Sequence, residues 1–88
     1  IEIYHSLEGP IRKEITRPTE WKVAYRLPFK VLTPYLGRLG PIPGQTWRAN
    51  FYKCGDHTSH PHWGSWAPIG QDLNFHQPWR FAPLVFER

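Results

Sequence analysis

Apolar and polar residues alternate with a period of two in several short stretches of this chain. The alternation is cleanest from Glu20 to Leu27, where Trp21, Val23, Tyr25 and Leu27 share one side and Lys22, Ala24 and Arg26 the other. Such a pattern predicts a half-buried strand, and Pro28 ends it, because a residue without an N–H cannot continue a ladder. Trp47 to Cys54 repeats the pattern and predicts a second strand, with Trp47, Ala49 and Phe51 opposite Arg48, Asn50 and Tyr52. At the start, residues 1–5 read as a strand with Ile1 and Ile3 facing inward. Weaker signals predict a short strand at His62–Ala67 and a closing strand at Leu84–Glu87.

Between these stretches the chain is punctuated by turn formers. Gly9-Pro10 marks a turn, and residues 11–19 form a polar connection containing Arg17-Pro18. Residues 29–36 suit a short helical turn that Pro34 keeps from growing. Gly37 to Gly44 holds three glycines and two prolines and reads as a loop. Gly55 to Pro61 and Pro68 to Pro78 are further irregular stretches. Short strands separated by turn signals predict an all-β fold, an antiparallel, jelly-roll-like β-sandwich. These strands are too few to cover two sheets, so residues 1–88 are expected to be the C-terminal part of a sandwich domain. The opening Ile-Glu-Ile-Tyr-His, without an initiator Met or a signal sequence, is read as an internal start.

Composition narrows the possibilities. Apolar residues are 40% and charged residues 20%, the balance of a globular chain. No apolar run approaches the roughly 18 residues that cross a bilayer, so no membrane span is expected. The net charge of +4 comes from basic residues scattered between Arg12 and Arg88, a solvated surface rather than a nucleic-acid footprint. The one cysteine, Cys54, cannot form an internal disulfide. Five Trp, four Tyr and five Phe exceed what a small core needs, so some ring faces are expected to be exposed for a ligand.

Three constellations carry candidate chemistry. The first is Arg48, Asn50 and Tyr52, which a continuous strand would align about 7 Å apart on one face. A cation, an amide and a phenol in a row suit the hydroxyls of a sugar, although the wet face of an ordinary antiparallel sheet has the same look. The second is Cys54, His57, His60 and His62, whose residue types could hold zinc in a structural or interaction domain. Their spacing matches no established zinc signature, and loop histidines beside a thiol explain them as well. The third runs from Trp66 to Phe81, where rings alternate with amides. Asn74, Phe75, Gln77 and Trp79 are its candidates for exposure, while Trp66 and Phe81, beside small residues and prolines, are assigned to the interior. A glycoside hydrolase needs two carboxylates roughly 5–10 Å apart, and none of the seven acidic residues has the apolar setting that raises a carboxylate's pKa. No nucleophile–base pair or phosphate-binding loop is legible, so no catalysis is expected from this chain.

The ordered set of Trp47-Arg-Ala-Asn-Phe-Tyr-Lys, Ser65-Trp-Ala-Pro-Ile, Asn74-Phe-His-Gln-Pro and Phe81-Ala-Pro-Leu-Val-Phe-Glu resembles the C-terminal half of a family 9 carbohydrate-binding module. It looks most like the family-9-like domains of predicted endo-1,4-β-xylanases and other polysaccharide-degrading proteins of gut-type bacteria. The resemblance covers about residues 20–87. It implies an antiparallel β-sandwich that binds a xylan- or glucan-type polysaccharide or oligosaccharide and targets an attached or co-secreted glycoside hydrolase to it. It further implies an extracellular, cell-surface or periplasmic location, and structural calcium in some members, although no acidic cluster is legible here. By position, Asn50 falls where the family strand offers an amide to the sugar, and Phe75 falls where the family has a platform tryptophan. The expected carbohydrate-binding residues are therefore Arg48, Asn50, Tyr52, Asn74, Phe75 and Trp79, and the resemblance places a second tryptophan in a preceding half.

Overall fold

A computed structural model describes all residues, Ile1–Arg88. They form two compact units, residues 1–40 and 41–88.

In the first unit, β1 (Glu2–His5) pairs antiparallel with β2 (Val23–Arg26), with Ile3 opposite Tyr25 and Tyr4 opposite Ala24. Ser6 adds a rung at the open end: its N–H donates to the Lys22 carbonyl at 2.9 Å, and its hydroxyl accepts from the Lys22 N–H at 2.7 Å. The strand predicted over 20–27 is thus confined to its centre. The inward packing expected for Ile1 and Ile3 is not found, because both are largely exposed. A two-stranded ribbon buries a face only when another layer lies on it, and no strand of this unit supplies one. After Pro28 the chain makes a 3-10 turn (Phe29–Val31) and one turn of helix, α1 (Thr33–Leu36). Pro34 is in the first turn of α1, where its missing N–H costs nothing.

The second unit contains two antiparallel ribbons. β3 (Thr46–Ala49) pairs with β6 (Ala82–Val85), and β4 (Tyr52–Gly55) pairs with β5 (His62–Ser65). Trp47, Ala49, Ala82, Leu84 and Phe86 are the half-buried side of the first ribbon. Trp47 meets Phe86 edge-on, with ring centroids 4.8 Å apart. Pro83 is tolerated in β6 because that strand has a single neighbour.

The strand predicted over 47–54 is therefore two strands belonging to two ribbons. Asn50 causes the break. Its Oδ1 accepts from the Phe51 N–H at 2.9 Å and the Ala67 N–H at 2.8 Å, and its Nδ2 donates to the Ala67 carbonyl at 3.1 Å. A side-chain amide here takes the place of a neighbouring strand, and the ladder cannot run through it. Phe51 leaves the apolar row as a result and is exposed, meeting Trp66 edge-on at 5.6 Å. Trp66, expected in the interior, is 52% exposed, whereas Phe81 is half-buried. All strands are antiparallel and helix is limited to single turns, so the fold is all-β, as the alternation predicts. No ribbon is widened into a full sandwich sheet.

Candidate functional site

The register of β4 and β5 sorts their side chains onto two faces. Cys54 is opposite Trp63 and Tyr52 is opposite Ser65, which places these four residues on one face. Lys53, Gly55 and His62 belong to the other. There the His62 imidazole lies so close over Gly55 that a Cβ at residue 55 would be 2.6 Å from it. His62 Nδ1 is 2.9 Å from the His60 carbonyl, and its Nε2 contacts Lys53 Nζ.

The loop from Pro68 to Pro78 reaches the Tyr52 face through Phe75. Gln77, buried to 5% exposure, anchors that loop from within: its Nε2 donates to the carbonyls of Ile69 and Asn74, and its Oε1 accepts from Arg80 Nε at 2.9 Å. Asn74 shapes the tip by accepting the His76 N–H on its Oδ1 at 2.9 Å. Phe75, so held, stacks on the Tyr52 ring with centroids 4.2 Å apart and planes 18° from parallel. The Tyr52 hydroxyl donates to the Phe75 carbonyl at 3.0 Å. Ring and loop thus hold each other in place.

Beside this stack is a shallow cleft of about 220 Å³ lined by Cys54, Asp56, Trp63, Leu73 and Phe75. Asp56 follows β4 directly, and its Oδ1 accepts from the indole Nε1 of Trp63 at 2.6 Å. Two rings, an aliphatic side chain and a carboxylate around one hollow suit a sugar, whose C–H faces pack on rings while its hydroxyls donate to oxygen. A larger hollow of about 390 Å³ lies on the β1–β2 ribbon, lined by Ile3, Tyr4, Tyr25 and their neighbours. It has no indole and no polar group held by a partner. The smaller cleft has both, and it contains Phe75.

A family model for carbohydrate-binding family 9 matches residues 1–86 of the chain. The chain belongs to carbohydrate-binding family 9. The match reaches residue 1 and so takes in the β1–β2 ribbon, which the resemblance over 20–87 covered only from β2 onward. No curated protein and no solved structure matches the chain. Family 9 supports carbohydrate binding.

The predicted site residues are distributed unevenly. Tyr52 and Phe75 form the stack at the cleft, and Asn74 shapes the loop that holds Phe75. Trp79, on a 3-10 turn (Pro78–Arg80), is 71% exposed but outside the cleft lining. Arg48 is on the other ribbon, where its Nη2 donates to the Phe81 carbonyl, and Asn50 is the backbone staple between β3 and β4. The three therefore do not form the continuous row expected of one strand, because the strand breaks at Asn50. Cys54, His57, His60 and His62 are not brought together: the structure holds no group of three or more His, Cys, Asp or Glu side chains able to take an ion. Strand alternation is one reason, since Cys54 and His62 are on opposite faces of the same ribbon. Trp63, Asp56 and Leu73 are cleft residues that the sequence pattern did not single out. Pairing Tyr52–Gly55 with His62–Ser65 as a hairpin would have brought Trp63 to the Tyr52 side.

Proposed function

We propose that this chain is a non-catalytic binding module for xylan- or glucan-type polysaccharide or oligosaccharide, and that it brings an attached or co-secreted glycoside hydrolase to that substrate. In this reading it works outside the cytoplasm, at the cell surface, in the periplasm or in the medium, as the C-terminal part of a carbohydrate-binding β-sandwich. No helix is long and apolar enough to cross a membrane. The observation that carries the reading is the Tyr52–Phe75 stack beside a cleft lined by Trp63 and the Asp56 carboxylate, in a chain of this family.

Phe75 packs on the sugar ring, with Tyr52 behind it fixing its plane. Arg48 and Asn50 are occupied by backbone partners, and Asn50 sets the start of the ribbon that carries the cleft. Asn74, next to Phe75 in the loop, and the exposed Trp79 are offered as contacts to a longer chain. At about 220 Å³ the cleft is smaller than the pockets of about 300–1,000 Å³ that take drug-sized ligands, so it accepts one sugar ring at a time. A ring–sugar stack contributes on the order of 1–2 kcal/mol, by analogy with aromatic pairs and cation–ring contacts. Two stacks and a few hydrogen bonds then give affinities of roughly micromolar to millimolar. Titration calorimetry of the intact protein against xylo- and cello-oligosaccharides tests this directly. A demonstrably folded protein that gives no binding heat of either sign at millimolar ligand rejects it.

A further inference from the structure

We propose that Asp56 and Trp63 form a selective wall of the cleft that admits neutral sugars and disfavours uronic acids. The inference rests on sugar binding at this cleft and specifies which sugars bind.

Trp63 is accessible from the cleft. It is 41% exposed, it faces the same side of the ribbon as Tyr52, and it lines the hollow together with Phe75. The cleft therefore has two aromatic walls from this chain alone, one from a strand and one from a loop. The Trp63 indole is oriented by its hydrogen bond to Asp56 Oδ1, so the carboxylate fixes the ring as well as facing the ligand. A carboxylate has about four acceptor positions and can take hydroxyl donors with those that the indole leaves free. Asp56 is also the one charged side chain among those lining the cleft. Lys53, the nearest cation in sequence, is on the opposite face against His62. A ligand carboxylate entering here meets a like charge with no cation in the lining to offset it. Neutral pentoses and hexoses meet only an acceptor.

Asp56→Asn separates charge from geometry, because an amide oxygen still accepts the Trp63 N–H. The intact protein is titrated with neutral xylo- and cello-oligosaccharides and with uronic-acid-bearing xylo-oligosaccharides of equal length. The wild type is expected to bind the neutral set about tenfold more tightly, the size of a like-charge repulsion at roughly 5 Å in a half-wet cleft. The gap narrows as salt is raised and closes in D56N. Trp63→Ala loses about tenfold or more in neutral-sugar affinity, while Trp63→Phe, which keeps a ring and guards against misfolding, retains most of it. Equal discrimination in wild type and D56N, or unchanged neutral binding in a folded W63A protein, overturns this proposal and leaves carbohydrate binding standing. A wild type that binds no neutral sugar overturns both.

Discussion

Replacing Asn50 by alanine removes three hydrogen bonds at once, and the balance between lost stability and lost affinity distinguishes a staple from a ligand contact. The lost partners are the Phe51 N–H, the Ala67 N–H and the Ala67 carbonyl. Ala67 is only 5% exposed, so water reaches its two backbone groups poorly once the amide is gone. A typical hydrogen bond contributes about 1 kcal/mol net, and a buried group left unpaired costs about 1–3 kcal/mol. With Phe51 exposed and free to find water, the total is about 2–4 kcal/mol. For a chain of this length 1 kcal/mol moves the melting temperature by about 4–8 °C, so N50A is expected to melt roughly 10 °C or more below wild type. Asn50→Asp keeps both accepted hydrogen bonds but sets a carboxylate oxygen against the Ala67 carbonyl, so it too melts below wild type. Thermal and urea denaturation followed by tryptophan fluorescence read the series. An N50A protein that melts within about 2 °C of wild type yet loses sugar affinity refutes the staple and makes the amide a ligand contact.

Phe75→Ala removes a wall of the cleft and the partner of the Tyr52 ring, and is expected to weaken oligosaccharide binding about tenfold in calorimetry. Tyr52→Phe keeps the stack but loses the bond to the Phe75 carbonyl, costing about 1 kcal/mol of stability in a urea melt. Gln77→Ala abolishes the contacts to Ile69, Asn74 and Arg80, and is expected to cost about 2–3 kcal/mol and to speed amide exchange across residues 69–80. Gly55→Ala drives a methyl into the His62 ring. Because that ring is exposed and can swing away, the cost is about 1 kcal/mol and disappears when His62 is also replaced by alanine, a coupling that a double-mutant cycle measures.

The period-two pattern located the strands because side chains on a pleated chain alternate whatever the chain pairs with. It could not show where pairing changes partner. Asn50 fits the alternation of 47–54 perfectly, and only the position of Ala67, 17 residues on, makes its amide end one ribbon and begin the next. The same limit explains Ile1, Ile3, Val23 and Tyr25. Alternation says that they share a face, as Ile3, Val23 and Tyr25 do in the β1–β2 register, but burial of that face is a property of whatever packs on it. The excess of aromatic residues foretold exposed rings, yet it did not rank them. Trp66 is exposed although small neighbours suggested a core position. Trp63 reaches the cleft through its pairing with Cys54, a relation that spans the loop of histidines read as a candidate zinc site. That loop shows the cost of reading residue types without faces: the strands on either side of it turn Cys54 and His62 away from each other, and the same turn brings Asp56 to the indole of Trp63.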